Sequence, residues 1–175
     1  MRKIAVYISM SLDGYVADKN GGVGFLCGDG SDPNHTGSYP SFIETVDTVI
    51  LGYTTYRQIV TELSPDEWVY KGKTSYVLTS KSIESTEDIV FVNTDINNLL
   101  ETLKNKEGKD IWICGGASII NQTLDMADKY CITVIPTILG DGIPLFTKHQ
   151  NELTLSLVSS TQYNGMVDLV YEKRA

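Results

Sequence analysis

Lys109-Asp110-Ile111-Trp112-Ile113-Cys114-Gly115-Gly116-Ala117-Ser118-Ile119-Ile120-Asn121-Gln122-Thr123-Leu124 is the stretch whose reading decides the fold. Ile111 to Cys114 is a short apolar run with β-branched and aromatic members, the pattern of a strand buried on both faces. Gly115 and Gly116 follow at once, and a helix-compatible segment opens with Ala117 and Ser118. Without Cβ atoms the backbone takes positive φ freely and lets a ligand approach its amides. A helix start beyond it offers unpaired N–H groups and a positive dipole end to an anion. Taken alone, the glycine pair reads first as a tight strand-to-helix turn. The neighbouring segments decide whether it is more.

On the N-terminal side, Ile4 to Met10 reads as a central strand that runs through Ser11-Leu12-Asp13-Gly14-Tyr15-Val16-Ala17 into a turn. Residues 18–38 are rich in Gly, Asp, Asn and Ser, and so long an irregular segment is usually functional or mobile. Ser41-Phe42-Ile43-Glu44 matches a capping box, which predicts a short helix from near Pro40. Thr48 to Leu51 is a second buried strand ending at Gly52, and Tyr53 to Leu63 suits a helix. Ser75 to Leu78 and Ile89 to Val92 are further strands, followed by an amphipathic helix between Asp95 and Lys106. On the C-terminal side a helix over 117–127 leads to a strand over Tyr130 to Leu139. Leu153 to Tyr163 and Met166 to Lys173 alternate around Asn164-Gly165, a strong hairpin signal. Strands alternating with helices and closed by an antiparallel hairpin predict an α/β sandwich with a mixed sheet. No repeat, linker or composition break divides the 175 residues, so one domain is expected.

Hydrophobic content of 42% and charged content of 21% are those of a globular protein. The formal charge of −8 argues against nucleic acid or an anionic membrane as partner. The N-terminal residues lack a signal-peptide core and no apolar run approaches a membrane span, so a cytoplasmic location is expected. Cys27, Cys114 and Cys131 form no CxxC, and Cys114 and Cys131 sit in apolar strand patterns as buried thiols.

Metal chemistry has little support from two histidines, His35 and His149, with no carboxylate spacing around them. There is no G-x-S-x-G elbow, no Walker A sequence and no Rossmann fingerprint, Gly22-Val23-Gly24 having Cys27 where the third glycine belongs. What remains is three short polar turns, each directly after a buried strand: Gly52-Tyr53-Thr54-Thr55-Tyr56, Thr79-Ser80-Lys81 and Gly115-Gly116-Ala117-Ser118. If their strands are parallel, all three lie at one carboxyl edge, where open α/β sheets bind ligands. Backbone amides, hydroxyls and one ammonium are chemistry for holding an extended polyanionic cofactor.

Four blocks resemble a known family. They are Met10-Ser11-Leu12-Asp13-Gly14-Tyr15-Val16-Ala17, then Asp47-Thr48-Val49-Ile50-Leu51-Gly52-Tyr53-Thr54-Thr55-Tyr56, then Ile113-Cys114-Gly115-Gly116, and Pro136-Thr137-Ile138-Leu139-Gly140-Asp141-Gly142-Ile143-Pro144-Leu145-Phe146. In order and spacing they look like the dihydrofolate reductase-like superfamily, and within it the RibD C-terminal reductase domain of bacterial riboflavin biosynthesis. The resemblance implies a three-layer α/β sandwich with a mixed, mostly parallel sheet and a C-terminal antiparallel hairpin. It implies an NADPH-dependent reductase of the 5-amino-6-(5-phosphoribosylamino)uracil reductase type acting on a small heterocycle, commonly as a homodimer. Dihydrofolate reductase activity and a catalytically silent NADP-binding module are the alternatives.

By that resemblance Gly115 and Gly116 face the pyrophosphate, with Ala117, Ser118 and Ile119 of the following helix beside them. Gly52, Tyr53, Thr54 and Thr55 contact phosphate or ribose, and Thr79, Ser80 and Lys81 sit by the adenosine 2′-phosphate. Ser9, Val16 and Ala17 line the nicotinamide side. Tyr53 stands where the family commonly has arginine, which leaves Lys81 as the cation and keeps NADH open beside NADPH. Asp13 is the acidic residue expected in the pocket as a catalytic candidate, with a turn-forming role as its equal alternative. Phe25, Phe42 and Tyr56 are expected as an aromatic substrate wall, with Thr133 pointing into the same cleft.

Overall fold

Alternating and continuous apolar runs become strands because each must bury one face or both. The structure, a computed structural model, describes residues 1–174. In chain order the strands are β1 (Ile4–Ser11), β2 (Tyr15–Ala17), β3 (Val46–Gly52), β4 (Thr74–Leu78), β5 (Ile89–Val92), β6 (Asp110–Gly115), β7 (Lys129–Ile135), β8 (Ile143–Pro144), β9 (Leu155–Tyr163) and β10 (Met166–Lys173). The α-helices are α1 (Tyr39–Thr45), α2 (Tyr53–Gln58), α3 (Ile96–Lys104) and α4 (Ala117–Thr123). Eight strands form one sheet in the order β5-β4-β3-β6-β1-β7-β10-β9, while β2 and β8 pair separately. From β5 to β7 every pairing is parallel; β10 and β9 then join antiparallel.

The central strands of the sheet are buried on both faces, as their apolar runs require, while the edge strand β9 is largely exposed. Ile4, Val6, Ile50 and Ile113 pack with Ile96, Leu100 and Leu103 of α3 and Ile119 and Ile120 of α4. Ala5, Tyr7, Val49, Leu51 and Trp112 face the opposite way, onto Phe42 of α1 and Ile59 beyond α2. Helix, sheet, helix: this is the three-layer sandwich with a mixed, mostly parallel sheet. Among the described residues no helix is long and apolar enough to cross a membrane.

Four local expectations are corrected. The segment Tyr53 to Leu63 is helical throughout, but α2 gives way to a π-helical turn over Ile59–Leu63, closed by Ser64 N–H donating to the Ile59 carbonyl at 2.8 Å. Helix α4 ends at Thr123 instead of running to 127. There the Thr123 hydroxyl donates back to the Ile119 and Ile120 carbonyls, competing with the helical ladder. Strand β7 stops at Ile135, since Pro136 has no N–H for the ladder. The capping box is not formed: α1 begins at Tyr39, and the Ser38 hydroxyl donates to Asp168 at 2.6 Å instead of capping the helix.

Candidate functional site

Because β3, β4 and β6 are parallel neighbours, the turns that follow them open on one edge of the sheet. There they line a cleft of about 800 Å³. Gly52, Tyr53, Thr54 and Thr55 come from the β3–α2 turn, Thr79, Ser80 and Lys81 from beyond β4, and Gly116, Ala117, Ser118 and Ile119 from the start of α4. β1 contributes Ser9, and β2 contributes Val16 and Ala17. Gly115 sits immediately behind with φ +127°, a conformation that favours glycine.

The openings are shaped by what surrounds them. A Cβ added at Gly116 would meet the Thr55 Oγ1 at 3.2 Å, and one at Gly52 would meet Ile119 at 3.3 Å. The Lys81 Nζ lies 4.4 Å from the centre of the Tyr53 ring, a cation–π contact that holds the ammonium at the rim. Lys81 N–H donates to Thr79 Oγ1 at 3.1 Å, which fixes the turn. Asn121 donates from Nδ2 to both the Ala117 and Leu145 carbonyls, tying α4 to the segment after β8. Hydroxyls, a bare backbone corner and one ammonium along an extended trough suit a ligand that is long and carries phosphate.

Another part of the lining is aromatic. Tyr7, Tyr39, Tyr70 and Trp112 form it, packed edge to face: Tyr7–Tyr39 at 5.6 Å, Tyr39–Trp112 at 6.0 Å and Tyr70–Trp112 at 5.0 Å between ring centres. Cys114, half-buried in its strand, also borders this part of the cleft, with its thiol 3.4 Å from the Tyr70 hydroxyl. Burial pushes the Tyr7 hydroxyl up to about 12 and the Cys114 thiol up to about 11, and raises Tyr70 further. All three are therefore neutral at physiological pH. Lys81 is the one charged side chain among the lining residues.

Five expected site residues lie elsewhere. Phe42 is buried in the core against Tyr7 at 4.5 Å and Trp112 at 5.6 Å. Tyr56 packs behind α2 on Trp68 at 5.7 Å and Phe91 at 5.1 Å. Phe25 is half-buried off the cleft, and its neighbours Val23 and Leu26 line the wall. Thr133 is buried with its hydroxyl donating to Asp168 at 2.6 Å. Asp13 accepts from the Ser11 hydroxyl at 2.6 Å and from the Leu139 and Gly140 amides at 3.1 and 2.7 Å. Those bonds, the Ser11 one foremost, hold its carboxyl below the usual range and clasp the turn to residues 139–140, the geometry of the turn-forming role.

The aromatic wall escaped the sequence reading, although Tyr7 and Trp112 sit on the same face of adjacent strands. Asp168 escaped it as well. This carboxylate, 3% exposed on β10, accepts from Ser38, Thr133 and Tyr163 and stands 3.5 Å from the Tyr7 hydroxyl. Nothing local in Val167-Asp168-Leu169 announces burial; it follows from the pairing of Asp168 with Thr133 and of Thr133 with Ser9.

The family model for the RibD C-terminal domain matches residues 2–169. YwjB of Bacillus subtilis strain 168 is 39% identical over 175 residues, covering 97% of each chain. The crystal structure of a putative riboflavin biosynthesis protein from Shewanella sp. PV-4 superposes with a TM-score of 0.84 at 27% identity, over 99% of both chains. Dihydrofolate reductase from Enterococcus faecalis, solved with NADP(H), superposes with a TM-score of 0.66 at 15% identity, over 99% of this chain and 97% of that one, a likeness of fold.

Proposed function

The chain belongs to the RibD C-terminal domain family, and from that premise we propose that it is an NADPH-dependent reductase of the riboflavin-biosynthesis type. It acts as one domain on a small heterocycle, in the cytoplasm and as a homodimer. The observation that carries this reading is the convergence of three strand-end turns on one cleft, with a bare Gly116 corner and a single cation, Lys81.

In this reading Lys81 and its neighbours Thr79 and Ser80 hold the 2′-phosphate, and Thr54 and Thr55 hold ribose or phosphate. The Gly115-Gly116 corner faces the pyrophosphate, and Ala117, Ser118 and Ile119 flank it. Ser9, Val16 and Ala17 position the nicotinamide. When bound, such a cofactor supplies a hydride from its nicotinamide ring. The chain's own part is to orient two rings face to face and keep water out, which the apolar lining of Ile8, Val16, Ala17 and Ile119 supports. Folate reduction is not favoured, because no carboxylate lines the cleft among the described residues and Asp13 lies outside it.

Calorimetric titration with NADPH and, separately, NADH tests the proposal. NADPH binding well above NADH is the expected result. Binding of neither would leave the cleft without its cofactor and overturn the reading.

A further inference from the structure

We propose that the acceptor taken at the aromatic part of the cleft is a flat, uncharged or cationic nitrogen heterocycle that carries no phosphate, and that buried Asp168 enforces this choice. The inference rests on the reductase reading and narrows it: the acceptor is not the phosphoribosylated uracil of the riboflavin-biosynthesis type but a heterocycle without its phosphate.

Three observations carry it. The wall is aromatic: Tyr39 and Tyr70 are partly exposed and are backed by the buried rings of Tyr7 and Trp112, a lining that suits a flat ring and, through the ring quadrupoles, positive charge. Directly behind Tyr7 lies Asp168. Its Oδ1 accepts from Thr133 Oγ1 at 2.6 Å and the Tyr163 hydroxyl at 2.9 Å; its Oδ2 accepts from Ser38 N–H at 2.7 Å, Ser38 Oγ at 2.6 Å and the Tyr7 hydroxyl at 3.5 Å. Every one of those donors is neutral, and no ion pair engages Asp168 among the described residues. Its charge is felt nearby, for it raises Tyr7, Tyr163 and Cys131, secondary to burial in each case.

The aromatic part of the cleft is therefore a site of negative potential. Lys81, the lone charged lining residue, is engaged over the Tyr53 ring at 4.4 Å and, in the reductase reading, is taken by the 2′-phosphate of the cofactor. A phosphate entering beside Tyr39 and Leu26 would give up water, gain no cation and approach a buried carboxylate. A neutral ring meets none of these costs, and a protonated one is stabilised.

The test uses a matched pair of ligands, 5-amino-6-(5-phosphoribosylamino)uracil and the same compound after phosphatase treatment. Both are titrated calorimetrically into the full-length protein, with and without saturating NADPH. The dephosphorylated ring is expected to bind about tenfold tighter or more, a gap of about 1.4 kcal/mol. Asp168→Asn, which keeps the side chain's shape, is expected to narrow that gap. Leu26→Arg, at an exposed wall position, is expected to raise affinity for the phosphorylated ring alone. Equal or tighter binding of the phosphorylated form by the unaltered protein overturns the proposal. So does binding of neither ring while NADPH still binds. If NADPH itself fails to bind, the reductase reading falls, but the titrations without cofactor still decide the phosphate question, because the aromatic wall and Asp168 do not depend on it.

Discussion

Position 53 holds a tyrosine where the family resemblance leads one to expect arginine, and the structure gives that tyrosine a task. Its ring lies under the Lys81 ammonium at 4.4 Å, so one cation is held by an aromatic face in place of two cations side by side. Lys81→Ala should weaken NADPH by about 1.5–3 kcal/mol, the worth of a hydrogen bond to a charged group, and leave NADH nearly unchanged; equal losses in parallel titrations would remove Lys81 from the 2′-phosphate. Gly116→Val should cost cofactor binding at least about tenfold, since its Cβ already meets Thr55 Oγ1 at 3.2 Å and the branches reach further into the trough. Circular dichroism must show the variant folded for that loss to count. Asp13 carries the pH prediction. Its carboxyl is held below the usual value of 3.8 by the Ser11 hydroxyl and the Gly140 and Leu139 amides. A carboxylate depressed in the folded state contributes stability above its unfolded pKa and loses it as pH falls through the folded value. Asp13→Asn should therefore lower urea resistance at pH 7, with the difference fading below about pH 4, while NADPH affinity stays unchanged.

Among the elements, the terminal hairpin was the most legible, because turn chemistry is local. Asn164 and Gly165 adopt φ +46° and +72°, the double positive φ that an Asn-Gly hairpin turn requires. The alternation on either side sets β9 and β10. The long Gly- and Asp-rich segment was legible only as irregular, and its anchor explains why. Asn164 Oδ1 accepts from the Gly30 and Asp32 amides, at 2.9 and 3.2 Å, and the Asn164 carbonyl accepts from Asp29 N–H at 3.0 Å. A loop held by a turn 132 to 134 residues away leaves no periodic trace in its own sequence. Asn164→Ala removes the side-chain acceptor and disfavours the turn. It should destabilise the protein by about 1–2 kcal/mol and speed amide exchange at residues 29–32 before it affects β10. Unchanged exchange there would mean the loop is anchored by something other than the hairpin tip. The ends of α4 and β7 were misjudged for a related reason: both stop on single local competitors, the Thr123 hydroxyl and Pro136, inside otherwise favourable apolar patterns.

At the scale of the whole molecule, apolar runs and their spacing carried the sandwich, while the aromatic part of the cleft came from what the sheet brings together. Tyr7, Trp112, Thr133 and Asp168 are far apart in the chain, yet β1, β6, β7 and β10 are sheet neighbours in the order β6-β1-β7-β10. A sequence reading that looks for aromatics near a glycine-rich loop selects Phe25 and Phe42, and misses residues joined only by strand order. The same architecture would let the proposed cofactor brace the fold. Its proposed contacts come from β1, β2, the turns after β3 and β4, and the start of α4, so it would bridge several separate elements. A ligand that binds the folded state alone stabilises it by RT ln(1 + [L]/Kd), about 2.7 kcal/mol at a hundredfold excess over Kd. For a chain of this size that raises Tm by about 5–10 °C. NADPH should give that shift, and NADH at the same concentration a smaller one. Because the expected rise scales with the logarithm of free NADPH, a Tm that stays flat across a hundredfold range of NADPH would show that the cleft does not hold the cofactor.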